Sequence, residues 1–270
     1  MPLTVSHFPA DPECDGTQWV VADQDQLATL VGTVLIGRAK HAASVLEGVQ
    51  HNPVSTSAAQ KKSLRVQLHP TTDGAKWQRD GLLFEIICWI SSKTIAAPGD
   101  LISDPHLSST QQGVDTIYVR FDQAGRTVSL VTICEQKCTT NPRSEFRTKV
   151  IPAFLEWISG KRDNQLTQIS IGLLSVHNLT DAEQTAIFDK LVQSRPLAFR
   201  AALTVTPTPF EKPRCLAVFK DYKDLTPTID NRAGDTFPLV NIRDWFQNFS
   251  DLVWQKIEAE CPASAPVRQI

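Results

Sequence analysis

The sequence predicts an α/β fold, a mixed sheet flanked by helices. Three observations carry the prediction. From the first helix onward the predicted elements interleave in the order α, β, α, β, β, α, β, α, β, β, α, and a central pair of β-branched and aromatic runs flanks a short Gly-containing turn. The 270 residues are 41% hydrophobic and 21% charged, with 12 Gly and 17 Pro, which is ordinary globular composition for a chain long enough to bury a core. A core with two smaller attachments is expected: an N-terminal helix-rich segment over 1–70, a core over 71–206, and a C-terminal strand and helix extension over 207–270.

Residues 1–22 carry Pro2, Pro9 and Pro12 and no sustained period. Asp23 and Asp25 then precede Leu27, Leu30, Val31, Val34 and Leu35, whose spacing of three and four predicts an amphipathic helix. His51 to Lys62 is small and polar and reads as a loop, and Leu64, Val66 and Leu68 alternate with Arg65 and Gln67 as in a half-buried strand. Asp80 to Lys93 (DGLLFEIICWISSK) reads as a helix with Leu83, Ile86, Ile87 and Ile90 on one stripe. Val114 to Phe121 and Thr127 to Lys137 read as strands joined by the hairpin turn Asp122 to Arg126. Beyond Asn141-Pro142, apolar residues at Phe146, Val150, Phe154 and Ile158 recur four apart, as in a helix bent at Pro152. A strand-like run over Gln168 to Val176, a helix opened by the capping box Thr180 to Glu183, two strand candidates (Leu197 to Val205 and Cys215 to Lys220) and a closing helix from Asn241 to about Ala259 complete the chain.

The formal net charge of −2 excludes binding to nucleic acid by bulk electrostatics and leaves only a local patch or a partner to supply it. The apolar stretch Leu30 to Gly37 is far shorter than the roughly 20 residues that cross a bilayer, and Met1 to Phe8 has no basic then apolar pattern, so a soluble cytoplasmic protein with no membrane contact is expected. Six irregularly spaced cysteines, several inside apolar runs, read as reduced thiols.

Chemistry enters at Glu135-Gln136-Lys137. Side chains alternate along a strand, so Glu135 and Lys137 share a face while Gln136 points away and leaves its backbone carbonyl available. Closing the hairpin sets Asp115 opposite either Ile133 or Glu135, depending on the turn, which brings two carboxylates together. Such a pair is disfavoured unless a cation sits between them, and carboxylates with a backbone carbonyl and waters suit Mg²⁺, with Mn²⁺ as a substitute. Lys137 beside such a site can hold or help deprotonate a metal-bound water or meet the charge on a phosphate, which points to phosphodiester hydrolysis. Glu85, with Leu82, Cys88 and Trp89 as helical neighbours, lies on an apolar flank where a carboxylate needs a partner or a metal; the competing reading is a boundary glutamate.

Glu85 on a helix, then Gly113-Val114-Asp115, then Glu135-Gln136-Lys137 ending the next strand, then a helix with Arg147 and Lys149, resemble the PD-(D/E)XK nuclease superfamily. The match runs from Glu85 to Lys149, with Gly-Val-Asp where the pattern has Pro-Asp and with its first strand, between Thr94 and His106, poorly defined. The resemblance implies a restriction-endonuclease-like fold and Mg²⁺ held by Asp115 and Glu135, with Glu85 completing the site and Lys137 activating water. Arg147 and Lys149 would touch DNA phosphates or simply form a solvated helix face. Chain layout is further similar to the HamA family, the nuclease subunits of Hachiman anti-phage defence, which implies a DNase restrained by a HamB-like helicase partner. Two other readings stand beside it: a catalytically inactive nuclease-fold subunit that binds or regulates a helicase, and a conventional restriction endonuclease.

Competing motifs are weaker. Asp221-Tyr222-Lys223 repeats the acid-x-Lys pattern with no acid on the preceding strand, and serves as the fallback site. Gly32 to Ala39 imitates a phosphate-binding loop but has Arg38 and Ala39 where Lys and Ser/Thr belong. Cys134 and Cys138 lack a second ligand pair for zinc, and the six histidines form no ligand spacing.

Overall fold

The computed structural model describes residues 1–8, 12–49, 56–108, 113–121, 127–174, 180–206 and 217–260. Seven strands form one mixed sheet: β1 (Leu3–His7), β2 (Asp15–Val21), β3 (Leu101–Ile102), β4 (Thr116–Phe121), β5 (Val128–Lys137), β6 (Leu197–Val205) and β7 (Arg232–Pro238). Their order across the sheet is β1-β2-β7-β6-β5-β4-β3. The central strands β2, β7, β6 and β5 run parallel, while β1, β4 and β3 pair antiparallel at the two edges.

Helices cover both faces. On one lie α1 (Gln24–Leu35), α2 (Ala39–Leu46), α3 (Ala58–Leu68), α4 (Asp73–Ile95) and α9 (Ile242–Glu260); on the other lie α5 (Pro142–Glu145), α6 (Ile151–Ile158), α7 (Asp163–Leu174) and α8 (Asp181–Gln193). Each layer has its own apolar core, and the strands β1, β2 and β7 from the two ends of the chain join the same sheet as β3 to β6. Among the described residues no helix is long and apolar enough to cross a membrane.

Local chemistry starts these helices where the sequence places the signals. Asp23 accepts from the Gln26 N–H to open α1, and Thr180 with Glu183 forms the reciprocal box that opens α8; α4 starts at Asp73 under a Thr72 cap, earlier than the expected Asp80. From Arg79 to Ser92 helix α4 is buried nearly all round because it lies between the sheet and the α1 and α9 helices. An ion network around the buried Arg79–Asp80 pair locks it there: Arg79 is bonded twice to Asp80 and reaches Gln247 and Ser250 of α9, and the partly exposed Arg243 of α9 pairs with Asp80 at 2.6 Å.

Several expectations are corrected. Residues 1–22 hold two strands, and β1 shows no alternation because it is an edge strand with four of its five residues exposed. Leu64 and Leu68 belong to helix α3, four apart on one buried stripe, with Val66 68% exposed on the other side. Gln168 to Leu174 belongs to helix α7, where Leu166, Ser170 and Leu174 are the buried positions, and Ser175 and Val176 lie outside the described residues. Ala217–Phe219 is a 3₁₀ turn rather than a strand; Cys215 lies outside the described residues, as do the hairpin turn 122–126 and Cys261. Strand β7 (RAGDTFP) is polar and carries no strand signal, yet it is central because its charges are paired: Arg232 donates to the Pro12 and Glu13 carbonyls, and Asp235 pairs with Arg200 at 2.6 Å. The helix after Asn141 contains a π turn over Phe146–Val150 immediately before Pro152; the wider turn accommodates a residue that has no N–H to donate. The four cysteines Cys14, Cys88, Cys134 and Cys138 are free thiols.

Candidate metal centre

The β4–β5 hairpin sets the site. Thr116 pairs with Cys134, so of the two registers open to the sequence the chain takes the one that carries Asp115 beside Glu135. Strand β4 starts just after Asp115, which leaves its side chain free to turn over the end of the sheet. Asp115 Oδ2 accepts from the backbone N–H of Gln136 at 2.6 Å and lies 3.3 Å from Lys137 Nζ, which is 2.9 Å from Glu135 Oε2. Lys137 is therefore the cation between the two carboxylates. Glu135 is deeply buried and Lys137 only partly, with 7% and 27% of their side chains exposed.

These contacts set the charges. Burial pushes the Glu135 carboxyl up, Lys137 opposes the shift and Asp115 adds to it. Burial would lower the Lys137 ammonium, but Asp115 and Glu135 together hold it above the usual lysine range. Lys137 is thus held as a cation by the two carboxylates it touches.

Asp115 also faces a second group across the end of the sheet. Glu85, 8% exposed on α4, accepts from the backbone N–H of His106 at 2.9 Å and lies 3.0 Å from its ring Nδ1. One ligand atom from each of Glu85, His106 and Asp115 lies within 4.8 Å of the others. Burial pushes the Glu85 carboxyl up against the opposing hydrogen bond from His106, and that bond raises the His106 ring. Gly113 stands at φ +155°, and a Cβ there would meet His106 Nε2 at 3.3 Å, so the approach of this loop to the imidazole is made by a glycine.

Glu85, Asp115 and Gln136 line one cleft of about 200 Å³ with Gln78, Gly81, Leu82 and Ser108. The side chain of Gln136 points to the α4 face, where its Nε2 donates to Thr116 Oγ1 at 3.2 Å and its buried Oε1 has no partner. Two carboxylates, an imidazole and an unpartnered amide oxygen fit a divalent cation. For Gln136 the contacts engage the backbone N–H, on Asp115, and leave the side-chain oxygen unpartnered, where the sequence pointed to the backbone carbonyl.

The four sequence-predicted site residues thus come together in two groups that share Asp115: Glu135 and Lys137 on one side, Glu85 on the other. The sequence missed His106, which sits in an irregular stretch twenty-one residues from Glu85 with no ligand spacing to mark it. Arg147 and Lys149 are exposed and pair with Asp221 at 3.4 Å and Glu145 at 2.9 Å. The fallback motif lies on a turn: Asp221 takes a left-handed φ of 76°, Tyr222 is buried in the core, and Lys223 faces Glu13 at 3.6 Å. No family model matches the chain, and no curated protein matches it either.

Proposed function

We propose that this chain is a metal-dependent DNA endonuclease of the PD-(D/E)XK kind with a restriction-endonuclease-like core, working in the cytoplasm as the effector of an anti-phage defence system with a helicase partner. The observation that carries the reading is Asp115 standing between the Lys137 ammonium and the Glu85–His106 pair at one end of the sheet. Glu85 and Asp115 would hold Mg²⁺ or Mn²⁺, which when bound supplies Lewis acidity and a water acidified for attack on phosphorus. Lys137, fixed by Glu135, meets the charge that builds on the scissile phosphate.

A local patch supports a phosphodiester substrate despite the near-neutral total. Residues 48–72 contain no acid, and Lys61, Lys62 and Arg65 of α3 lie within them. A groove of about 860 Å³ is lined by Lys62, Gln67, Thr72 and Ser108, and Ser108 also lines the cleft of the site. A strand lying along α3 would enter the acids from that side. The helicase partnership rests on chain layout alone: leading helices, the GLLFE helix, the GVD and E-x-K strands and the long C-terminal helix.

The test is cleavage of supercoiled and linear DNA by the purified chain with Mg²⁺ or Mn²⁺, beside EDTA and Lys137→Ala controls. Cutting that both controls remove is the expected result. Cutting that survives Lys137→Ala refutes the site, and no cutting, alone or with a helicase present, leaves the inactive binding subunit as the better reading.

A further inference from the structure

We infer that Glu85, His106, Asp115 and the side-chain carbonyl of Gln136 form a mixed nitrogen and oxygen metal site at this end of the sheet, and that it selects Mn²⁺ over Mg²⁺. The acids are the ones invoked for hydrolysis, so the inference rests on that reading for its place in the reaction, but it is read out by binding alone. An inactive protein that still holds Mn²⁺ through His106 would refute the nuclease and leave this site standing.

Two independent observations point to an ion here. Ligand atoms of Glu85, His106 and Asp115 lie within 4.8 Å of one another. An ion with bonds of about 2.1 Å holds opposite ligands about 4.2 Å and adjacent ones about 3 Å apart, so Glu85 and His106, 3.0 Å apart, already have the spacing of adjacent ligands, and Asp115 closes on them when an ion binds. Separately, Gln136 is 8% exposed and lines the same cleft, its Nε2 is spent on Thr116, and its Oε1 is buried without a partner. A buried carbonyl oxygen left unpaired costs stability, and an ion in the cleft gives it a partner.

The donor types decide the ion. Mg²⁺ takes an all-oxygen octahedron and keeps its waters, whereas an imidazole among the ligands shifts preference towards first-row transition ions. With carboxylates and an amide oxygen completing the set, Mn²⁺ is the hard member of that series that tolerates both donor types. Glu135 is not part of this cluster, and its Oε2 is bonded to Lys137.

The experiment uses the full chain and needs no DNA. Calorimetric titration with MnCl₂ and MgCl₂ measures affinity, and pulsed EPR of the Mn²⁺-loaded wild-type protein detects a coordinating nitrogen. Expected are an affinity for Mn²⁺ at least about tenfold above that for Mg²⁺, nitrogen coupling in the wild type, and loss of both coupling and preference in His106→Asn. Gln136→Met is expected to weaken both ions by at least about tenfold. Mn²⁺ bound without nitrogen coupling, equal affinity for the two ions, unchanged affinity in Gln136→Met, or no binding to the wild type would each overturn the inference. A histidine that merely positions Glu85 would weaken both ions alike in His106→Asn and show no coupling. The wild-type spectrum decides this even if a variant misfolds.

Discussion

Lys137→Met removes the only cation that touches both Asp115 and Glu135 in the described contacts and leaves two carboxylates side by side at the end of β5. Taking one partner from a buried ion pair costs about 3–5 kcal/mol, because the other charge stays buried without compensation. Glu135 is 7% exposed but Asp115 is 17% and Lys137 27%, so water recovers part of that cost and about 2–4 kcal/mol is the expected loss. For a chain of this size about 1 kcal/mol moves the melting temperature by about 2–4 °C, which sets a fall of roughly 4–16 °C in EDTA at neutral pH. A divalent ion at a hundred times its dissociation constant returns about 2.7 kcal/mol. Its gain should be larger in the variant, where Lys137 no longer competes for Asp115. Calorimetric melts of both proteins, with EDTA and with Mg²⁺ or Mn²⁺, make the comparison. A variant as stable as the wild type in EDTA, or one that gains no more from metal than the wild type does, would refute the reasoning.

Away from the site, Asp80→Asn strips the charge that Arg79 and Arg243 share and should lower stability by about 3 kcal/mol in urea denaturation; a loss below about 1 kcal/mol would mean that Gln247 and Ser250 suffice for Arg79. Burial pushes the Cys138 thiol up to about 12, above its value in the unfolded chain. Its contribution to stability is therefore fully present below about pH 9 and lost as pH rises towards 12, so Cys138→Ser should flatten the alkaline fall in melting temperature. Lys62→Glu, on the groove that leads to the cleft, should weaken DNA binding for all sequences alike and lower the salt dependence of affinity by about one phosphate contact, measured by fluorescence anisotropy across a salt series; an unchanged salt slope would remove the groove from the DNA path.

What the sequence made legible was whatever is written in local patterns. The hairpin of β4 and β5 is dense in β-branched and aromatic residues, α1 and α8 carry explicit caps, and α4 has an unbroken apolar stripe, so each could be read from its own residues. The hairpin in turn brought Asp115, Glu135 and Lys137 into one neighbourhood. Strand β7 was hidden because its place in the sheet centre depends on the partners of Arg232 and Asp235 in distant elements. Short alternations misled where a helix stripe samples the same letters, as at Leu64 and Leu68 of α3. His106 was invisible for a related reason: it reaches Glu85 through the fold, from an irregular segment between β3 and β4, and no spacing records that approach.

Asp115 is the one residue on which both halves of the site depend, so its substitution is the most direct test of the proposed chemistry. Single-turnover cleavage of DNA by Asp115→Asn, at saturating Mn²⁺ and with melting temperature checked alongside, is expected to fall by at least about a hundredfold while the fold is kept. Cleavage at the wild-type rate would contradict a metal centre at this cleft.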